Sequence, residues 1–267
     1  MNPTFLYNTL IGRCILKVLT RPFVSRLAGK YMDSSLSASG IKSFIRKNNI
    51  DMSDYAERKY KSFNDFFTRE IKKDARSIDM TPTSFISPCD GKISAYTISD
   101  DSSFEIKGSI YTVDELFENK SIKNAYSGGI MIVIRLTVTD YHRYMYPDSG
   151  YKEGNIYIPG IFHTVQPIAQ TRYKIYKTNS REYTILHTDN FGDVIQMEVG
   201  AMMVGKILNY HSDHHFSRGE EKGRFEFGGS TVVLMVKKDT VNLNENIPLD
   251  SDEEINVKQG EKIGTKI

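Results

Sequence analysis

The residues from 87 onward constrain this chain most. Short apolar, β-branched runs alternate there with glycine-containing turns. The strongest run is Ile130-Met-Ile-Val-Ile-Arg-Leu-Thr-Val138, and further strands are predicted over 183–187, 194–199 and 231–236. Asp90-Gly91, Ser149-Gly150, Pro159-Gly160 and Gly228-Gly229 supply the turns between them. Runs of this length cannot be long helices, and turns this frequent favour antiparallel pairing. The first 60 or so residues differ, with apolar residues recurring at helical spacing through Ile41, Phe44 and Ile45. The expectation is an α+β fold: a mainly antiparallel, barrel- or sandwich-like β domain over 61–267, preceded by a helical segment over 1–60. The acid-rich stretch 239–254 is expected to be a solvated loop.

Charge separates the same two parts. Residues 1–50 hold eight Lys or Arg against one acid, Asp33, and so carry +7, while the whole chain is only +2. A net charge this small argues against a nucleic-acid binder. The basic end suits an anionic surface. Its apolar stretch from Phe5 to Leu19 is interrupted by Arg13 and Lys17, too short and too charged to span a bilayer. On a helix, Ile11, Ile15 and Val18 share one face beside a stripe of Arg13, Lys17 and Arg21, the pattern of a helix lying in a membrane interface. Two cysteines, Cys14 and Cys89, rule out a disulfide scaffold.

Four places could carry chemistry. In Phe225-Glu-Phe-Gly-Gly-Ser-Thr231 two glycines precede Ser230, and an apolar strand follows. A serine hydroxyl can attack the carbonyl before it, turning the peptide into an ester; elimination then splits the chain and leaves a pyruvoyl terminus. Gly229 tolerates the strained backbone this needs. Alone, however, Gly-Gly-Ser-Thr is most simply a turn entering a strand. Asp140-Tyr-His-Arg143 places His142 at the end of the strongest strand, where a rigid element can aim a base. Asp90 could orient a histidine, as the acid of a triad does. His163, in Pro159-Gly-Ile-Phe-His163, is a second candidate base. His211, His214 and His215 lack a helical ligand pair and have no cysteine nearby in sequence, so they read as a solvated loop; no metal is expected. There is no G-x-S-x-G elbow for a serine hydrolase built on Ser230, His142 and Asp90.

Six segments in order resemble phosphatidylserine decarboxylases. They are Phe66-Phe-Thr-Arg-Glu70, Ser87-Pro-Cys-Asp-Gly91, Asp140-Tyr-His-Arg143, Pro159-Gly-Ile-Phe-His-Thr-Val165, Glu198-Val-Gly-Ala-Met-Met-Val-Gly205, and Gly219 through Gly-Gly-Ser-Thr231. The resemblance implies a proenzyme that cuts itself between Gly229 and Ser230 into a β chain, 1–229, and an α chain, 230–267. Ser230 would become a covalent pyruvoyl group that forms a Schiff base with phosphatidylserine and releases CO₂ and phosphatidylethanolamine. Catalytic roles would fall to Ser230, His142, Asp90 and His163. The resemblance further implies peripheral attachment to the cytoplasmic side of an anionic membrane, and a homodimer. One position departs. Many bacterial members have a second histidine where this chain has Met145, so the usual Asp–His–Ser assignment for self-cleavage does not transfer whole. The cleavage base is then expected to be His142 or His163 with Asp90 orienting it, and His163 is favoured because His142 is needed for later proton transfers. The alternative is a lipid-binding homologue that no longer processes.

Overall fold

The computed structural model describes residues 3–73, 75–101, 103–106, 109–117, 120–161, 163–164, 169, 174–201, 206–226 and 230–267. The N-terminal part is helical: α1 (Pro3–Asn8), α2 (Leu10–Leu19), α3 (Pro22–Asp33), a 3₁₀ turn (Ser35–Gly40), α4 (Ile41–Lys47) and α5 (Phe63–Phe67). Each start has a local cause. Thr9 caps α2 by accepting from the Gly12 N–H at 2.9 Å, and Pro22 opens α3 with its preset φ. Ser62 caps α5 by accepting from Asp65. Gly12 also lets α1 fold back onto α2, because a Cβ there would lie 2.1 Å from the Phe5 carbonyl oxygen.

Leu6, Tyr7 and Leu16 from these helices enter the core of the β domain. Ile11 and Val18 stay exposed, and Ile15 packs only partly against that core. The face that sequence spacing marks as apolar is therefore largely the outer one. Ile41, Phe63, Phe66 and Phe67 form a separate aromatic cluster joined by Met32, Phe44 and Tyr60, so residues on both sides of position 60 share it.

The strands are β1 (Ser84–Ile86), β2 (Gly91–Thr97), β3 (Ser103–Ile106), β4 (Ser109–Thr112), β5 (Ile130–Leu136), β6 (Arg143–Met145), β7 (Gly150–Lys152), β8 (Ile156–Ile158), β9 (Arg181–Thr188) and β10 (Gly192–Val199). They continue with β11 (Ile207–Asn209), β12 (His214–Phe216), β13 (Glu221–Phe225), β14 (Ser230–Val236), β15 (Val241–Leu243), β16 (Ile255–Val257) and β17 (Lys262–Lys266). The main sheet runs β12-β7-β9-β10-β14-β5-β2-β16, with β8 added beside β9. Smaller sheets are β1-β17-β15, β11-β13-β6 and β3-β4. All pairings between these strands are antiparallel. The main sheet stays open, and none of the sheets described closes into a barrel.

β14 lies at the centre, between β5 and β10, and is buried along its whole length. Val232, Leu234 and Val236 face one core cluster, Val233 and Met235 the other. Burial on both faces explains why the run is continuously apolar rather than alternating. Ser230 is the first residue of this strand and shares the Val232 side by the two-residue period of a strand. The acid-rich 239–254 stretch is not simply a loop. It contains β15 and the buried Ile247, and Glu254 closes an ion pair with Arg135 at the start of the return to β16. Among the described residues no helix is long and apolar enough to cross a membrane.

Candidate active site

Ser230 and His142 meet although 88 residues separate them. Antiparallel pairing of β14 with β5 sets Ser230 opposite Leu136. The chain leaves β5 through a turn over 137–140 and brings His142 back over the strand end. That turn is tied by Asp140, whose Oδ2 accepts from the Thr137 N–H and hydroxyl at 2.6 and 2.8 Å. Ser230 Oγ lies 3.4 Å from His142 Nδ1, and both residues are buried.

The other ring nitrogen fixes the tautomer. His142 Nε2 is 3.0 Å from the Thr137 carbonyl oxygen. A carbonyl can only accept, so Nε2 carries the proton and Nδ1 presents its lone pair to Ser230. Phe67 of α5 stacks on the imidazole with ring centroids 3.9 Å apart. Burial first, and the positive charge of Arg69 second, lower the His142 pKa to about 3, against a smaller opposing effect of the Thr137 hydrogen bond. The imidazole is thus neutral at physiological pH. Arg69 is itself fully buried and donates through Nη2 to the carbonyls of Thr139 (3.0 Å) and Asp140 (3.4 Å), holding the same turn.

A cavity of about 530 Å³ opens between α2 and the residues Ile161 and His163. Arg13, Lys17 and Arg21 bring positive charge to it, while Leu10, Leu16 and His163 line it.

A family model described as phosphatidylserine decarboxylase matches residues 63–265. A Clostridium acetobutylicum protein named phosphatidylserine decarboxylase proenzyme 2 is 46% identical over 264 residues, covering 97% of this chain and 90% of the relative. A phosphatidylserine decarboxylase proenzyme from Clostridium botulinum strain Hall is 42% identical, covering 97% and 91%. One from Clostridium novyi is 38% identical, covering 98% and 92%. The chain belongs to the phosphatidylserine decarboxylase family.

Within a family whose members are named proenzymes, the placement of the other candidate residues matters. Gly229 lies outside the described residues. Asp90 is buried and fully engaged: its Oδ1 accepts from the Gln259 N–H at 2.9 Å, and its Oδ2 from Arg76 at 2.9 Å and Lys258 at 3.3 Å. Its link to the histidine strand is indirect. Gln259 Nε2 donates to the carbonyls of Pro88 and Arg143, joining the Asp90 turn to the residue after His142. His163 faces the N-terminal helices, its Nδ1 3.2 Å from the Tyr7 hydroxyl. Asn179 clamps its backbone, accepting from the His163 N–H and donating to its carbonyl. Burial lowers the His163 pKa to about 4. Met145 is buried in β6, and its carbonyl is 3.5 Å from Gln196 Nε2.

Two features escape a reading of the sequence. Arg69 lies within a quoted motif but shows its role only through the turn it holds. Glu198 and Lys222 form a fully buried ion pair, with Lys222 Nζ 2.9 Å from both carboxylate oxygens and 2.6 Å from Asn209 Oδ1. Burial raises the Glu198 pKa against the opposing pull of Lys222. Glu198 stands opposite Val232 in the register of β10 with β14, on a strand next to the one that Ser230 begins.

Proposed function

We propose that this chain is a proenzyme that cuts itself between Gly229 and Ser230, into a β chain of residues 1–229 and an α chain of residues 230–267, and then decarboxylates phosphatidylserine to phosphatidylethanolamine. The single observation that carries this reading is the Ser230–His142 pair with its fixed tautomer. Nδ1 of His142 takes the Ser230 proton as Oγ attacks the Gly229 carbonyl carbon. The Gly229–Ser230 C–N bond breaks and a C–O ester bond forms. Loss of the Ser230 Cα proton with breakage of its Cβ–Oγ bond expels the Gly229 carboxylate, splits the chain and leaves a dehydroalanine; this tautomerises to an imine, and water then replaces its nitrogen, released as ammonia, leaving a pyruvoyl group on the N-terminus of the α chain.

The surroundings suit such a group. Ser230 is enclosed at the start of a rigid strand, with His142 Nδ1 3.4 Å from its Oγ. A pyruvoyl group supplies an electron sink for loss of CO₂. His142 would remain at the same strand end after cleavage, so one imidazole serves both the cleavage and the later proton transfers. His163 is thereby released from the role of cleavage base and is assigned to the cavity wall. Arg13, Lys17 and Arg21 would attract the anionic headgroup, and Asp90 supports the strand that follows His142 through Gln259.

The basic helices over 1–60 would rest on the cytoplasmic face of an anionic membrane, with residues 61–267 as the catalytic domain and a homodimer as the assembly. Intact-mass measurement tests the reading. Two chains with a blocked α-chain terminus, and release of CO₂ from phosphatidylserine vesicles, are expected. A single uncut 30.5 kDa chain would instead support a lipid-binding homologue.

A further inference from the structure

Past the end of β6 away from His142, where Tyr146 meets His211, three side chains converge that the decarboxylase chemistry does not use. β12 and β13 are joined by a tight turn at Gly219, whose φ of +80° suits glycine. The turn returns Glu220 beside His214 and His211. His214 Nε2 lies 2.6 Å from Glu220 Oε1, and His211 Nε2 lies 3.9 Å from the same oxygen. One donor atom from each of the three falls within 4.8 Å of the others.

We propose that His211, His214 and Glu220 form a binding site for a divalent transition-metal ion of the Zn²⁺ type. Two imidazoles and one carboxylate are the donor set that such ions take, with a fourth position open to water. In a tetrahedral site with bonds of about 2.0–2.1 Å, neighbouring donors lie roughly 3.3 Å apart; the two separations given above fall on either side of this value.

Supporting contacts hold two of the ligands. The Tyr146 hydroxyl is 3.2 Å from His211 Nδ1, which leaves Nε2 for the metal. Tyr146 is itself buried and stacked on Phe216 at 4.2 Å. Glu220 Oε2 accepts from the Ser217 N–H at 3.0 Å, which leaves Oε1 pointing at the histidines. Partners of this kind fix ligand orientation in metal sites. The two imidazoles now stack at 3.8 Å with their planes only 14° apart. Sharing one ion therefore requires one ring to turn about its Cβ–Cγ bond. The cluster is partly exposed, so that turn meets little packing resistance. A bound ion would pin the 211–214 segment to the start of β13, the strand that pairs with β6.

The sequence hides this site. His211 and His214 are visible as a near pair, but the third ligand is chosen by the turn after β12 that returns Glu220 to them.

The test uses the full, untagged chain after chelator treatment and dialysis, with ZnCl₂ as the probe. Calorimetry should give one equivalent bound, and the melting temperature should rise with added Zn²⁺ because only the folded state offers the site. His211→Ala, His214→Ala and Glu220→Gln should each weaken binding by at least roughly 10-fold, and Tyr146→Phe by about 10-fold. His187→Ala and His215→Ala should leave it unchanged. Glu220→Gln is nearly isosteric and keeps the result interpretable if an alanine variant is unstable. No binding by the parent chain, or equal binding by the parent and the three ligand variants, overturns the proposal. Self-cleavage is scored separately on a denaturing gel, so failure of the metal site leaves the reading of Ser230 untouched.

Discussion

His142 Nδ1 stands 3.4 Å from Ser230 Oγ because His142 Nε2 is committed to the Thr137 carbonyl. The orienting acceptor is thus a backbone oxygen, where a triad would place a carboxylate. A neutral acceptor does not stabilise an imidazolium as an aspartate does, but it selects the tautomer equally well. Arg69 and Asp140 brace the turn that carries this carbonyl, and Phe67 fixes the ring plane. This arrangement stands without a second histidine at the position of Met145.

The first prediction separates the two candidate bases. His142→Ala should slow self-cleavage by roughly 10²–10⁴-fold, the usual contribution of a positioned base. His163→Ala should still cleave, since its ring faces Tyr7. Cleavage is followed on a denaturing gel, with circular dichroism confirming the fold. Normal splitting of the His142 variant would refute the assignment.

The second concerns pH. Burial and Arg69 hold His142 near 3, well below its ordinary 6.5. Between these values the unfolded chain binds a proton that the folded chain does not. Stability therefore falls from this group as pH drops from about 6.5 toward 3, and the group contributes no slope above that window. The base itself stays neutral throughout, so cleavage should show no inflection near 6.5 while the protein remains folded. Arg69→Met removes a like charge and should move the acid limb of the pH–rate profile upward, and Arg69→Lys should restore it. A profile with the same midpoint in the parent and in Arg69→Met would show that the arginine acts only by holding the turn.

What was legible in the sequence follows from the range of the interactions involved. The strands over 130–136 and 230–236 stand out because branched apolar residues persist along each one, and those over 181–188 and 192–199 because β-branched or aromatic residues recur between polar ones. Ser230 and His142 could be nominated since each adjoins such a strand. Their contact could not, because it depends on a register set between β14 and β5. Asp90 reads from the sequence as an orienting acid, but which groups occupy its oxygens, Arg76, Lys258 and Gln259, is set by tertiary contacts. On α2, spacing marks a stripe without saying what covers it; Gly12 and Leu16 turn inward, while Ile11 and Val18 stay exposed. The Glu198–Lys222 pair was invisible, being assembled from charged residues on two strands.

That pair supplies the third prediction. Both groups are completely buried, and each satisfies the other. Glu198→Gln leaves an uncompensated buried ammonium and should cost about 3–5 kcal/mol in urea unfolding of the uncut Ser230→Ala chain. Replacing both together, Glu198→Leu with Lys222→Met, should recover most of that loss, since well-packed apolar residues often match a buried ion pair. Additive losses in the double variant would show that the two side chains are not coupled.

The last prediction tests the membrane surface. Deleting the first 30 residues is a poor probe, since Leu6, Tyr7 and Leu16 would be torn from the core. The outer face can be altered alone. Ile11 and Val18 are 69% and 61% exposed and lie beside Arg13 and Lys17 on α2. If this face enters an anionic bilayer, Ile11→Ser with Val18→Ser loses the burial of two branched side chains, at about 1.5–3 kcal/mol each. Sedimentation with phosphatidylserine-containing liposomes should then fall at least roughly 10-fold. Lys17→Glu should weaken binding by about 5- to 30-fold, at about 1 kcal/mol per basic charge near the surface. The two losses should respond differently to salt. Raising salt from about 0.1 M to about 1 M shortens the screening length from about 10 Å to about 3 Å, which should narrow the gap between Lys17→Glu and the parent while leaving the Ser variant's deficit. Parent-like sedimentation by both variants would mean that this face does not contact lipid.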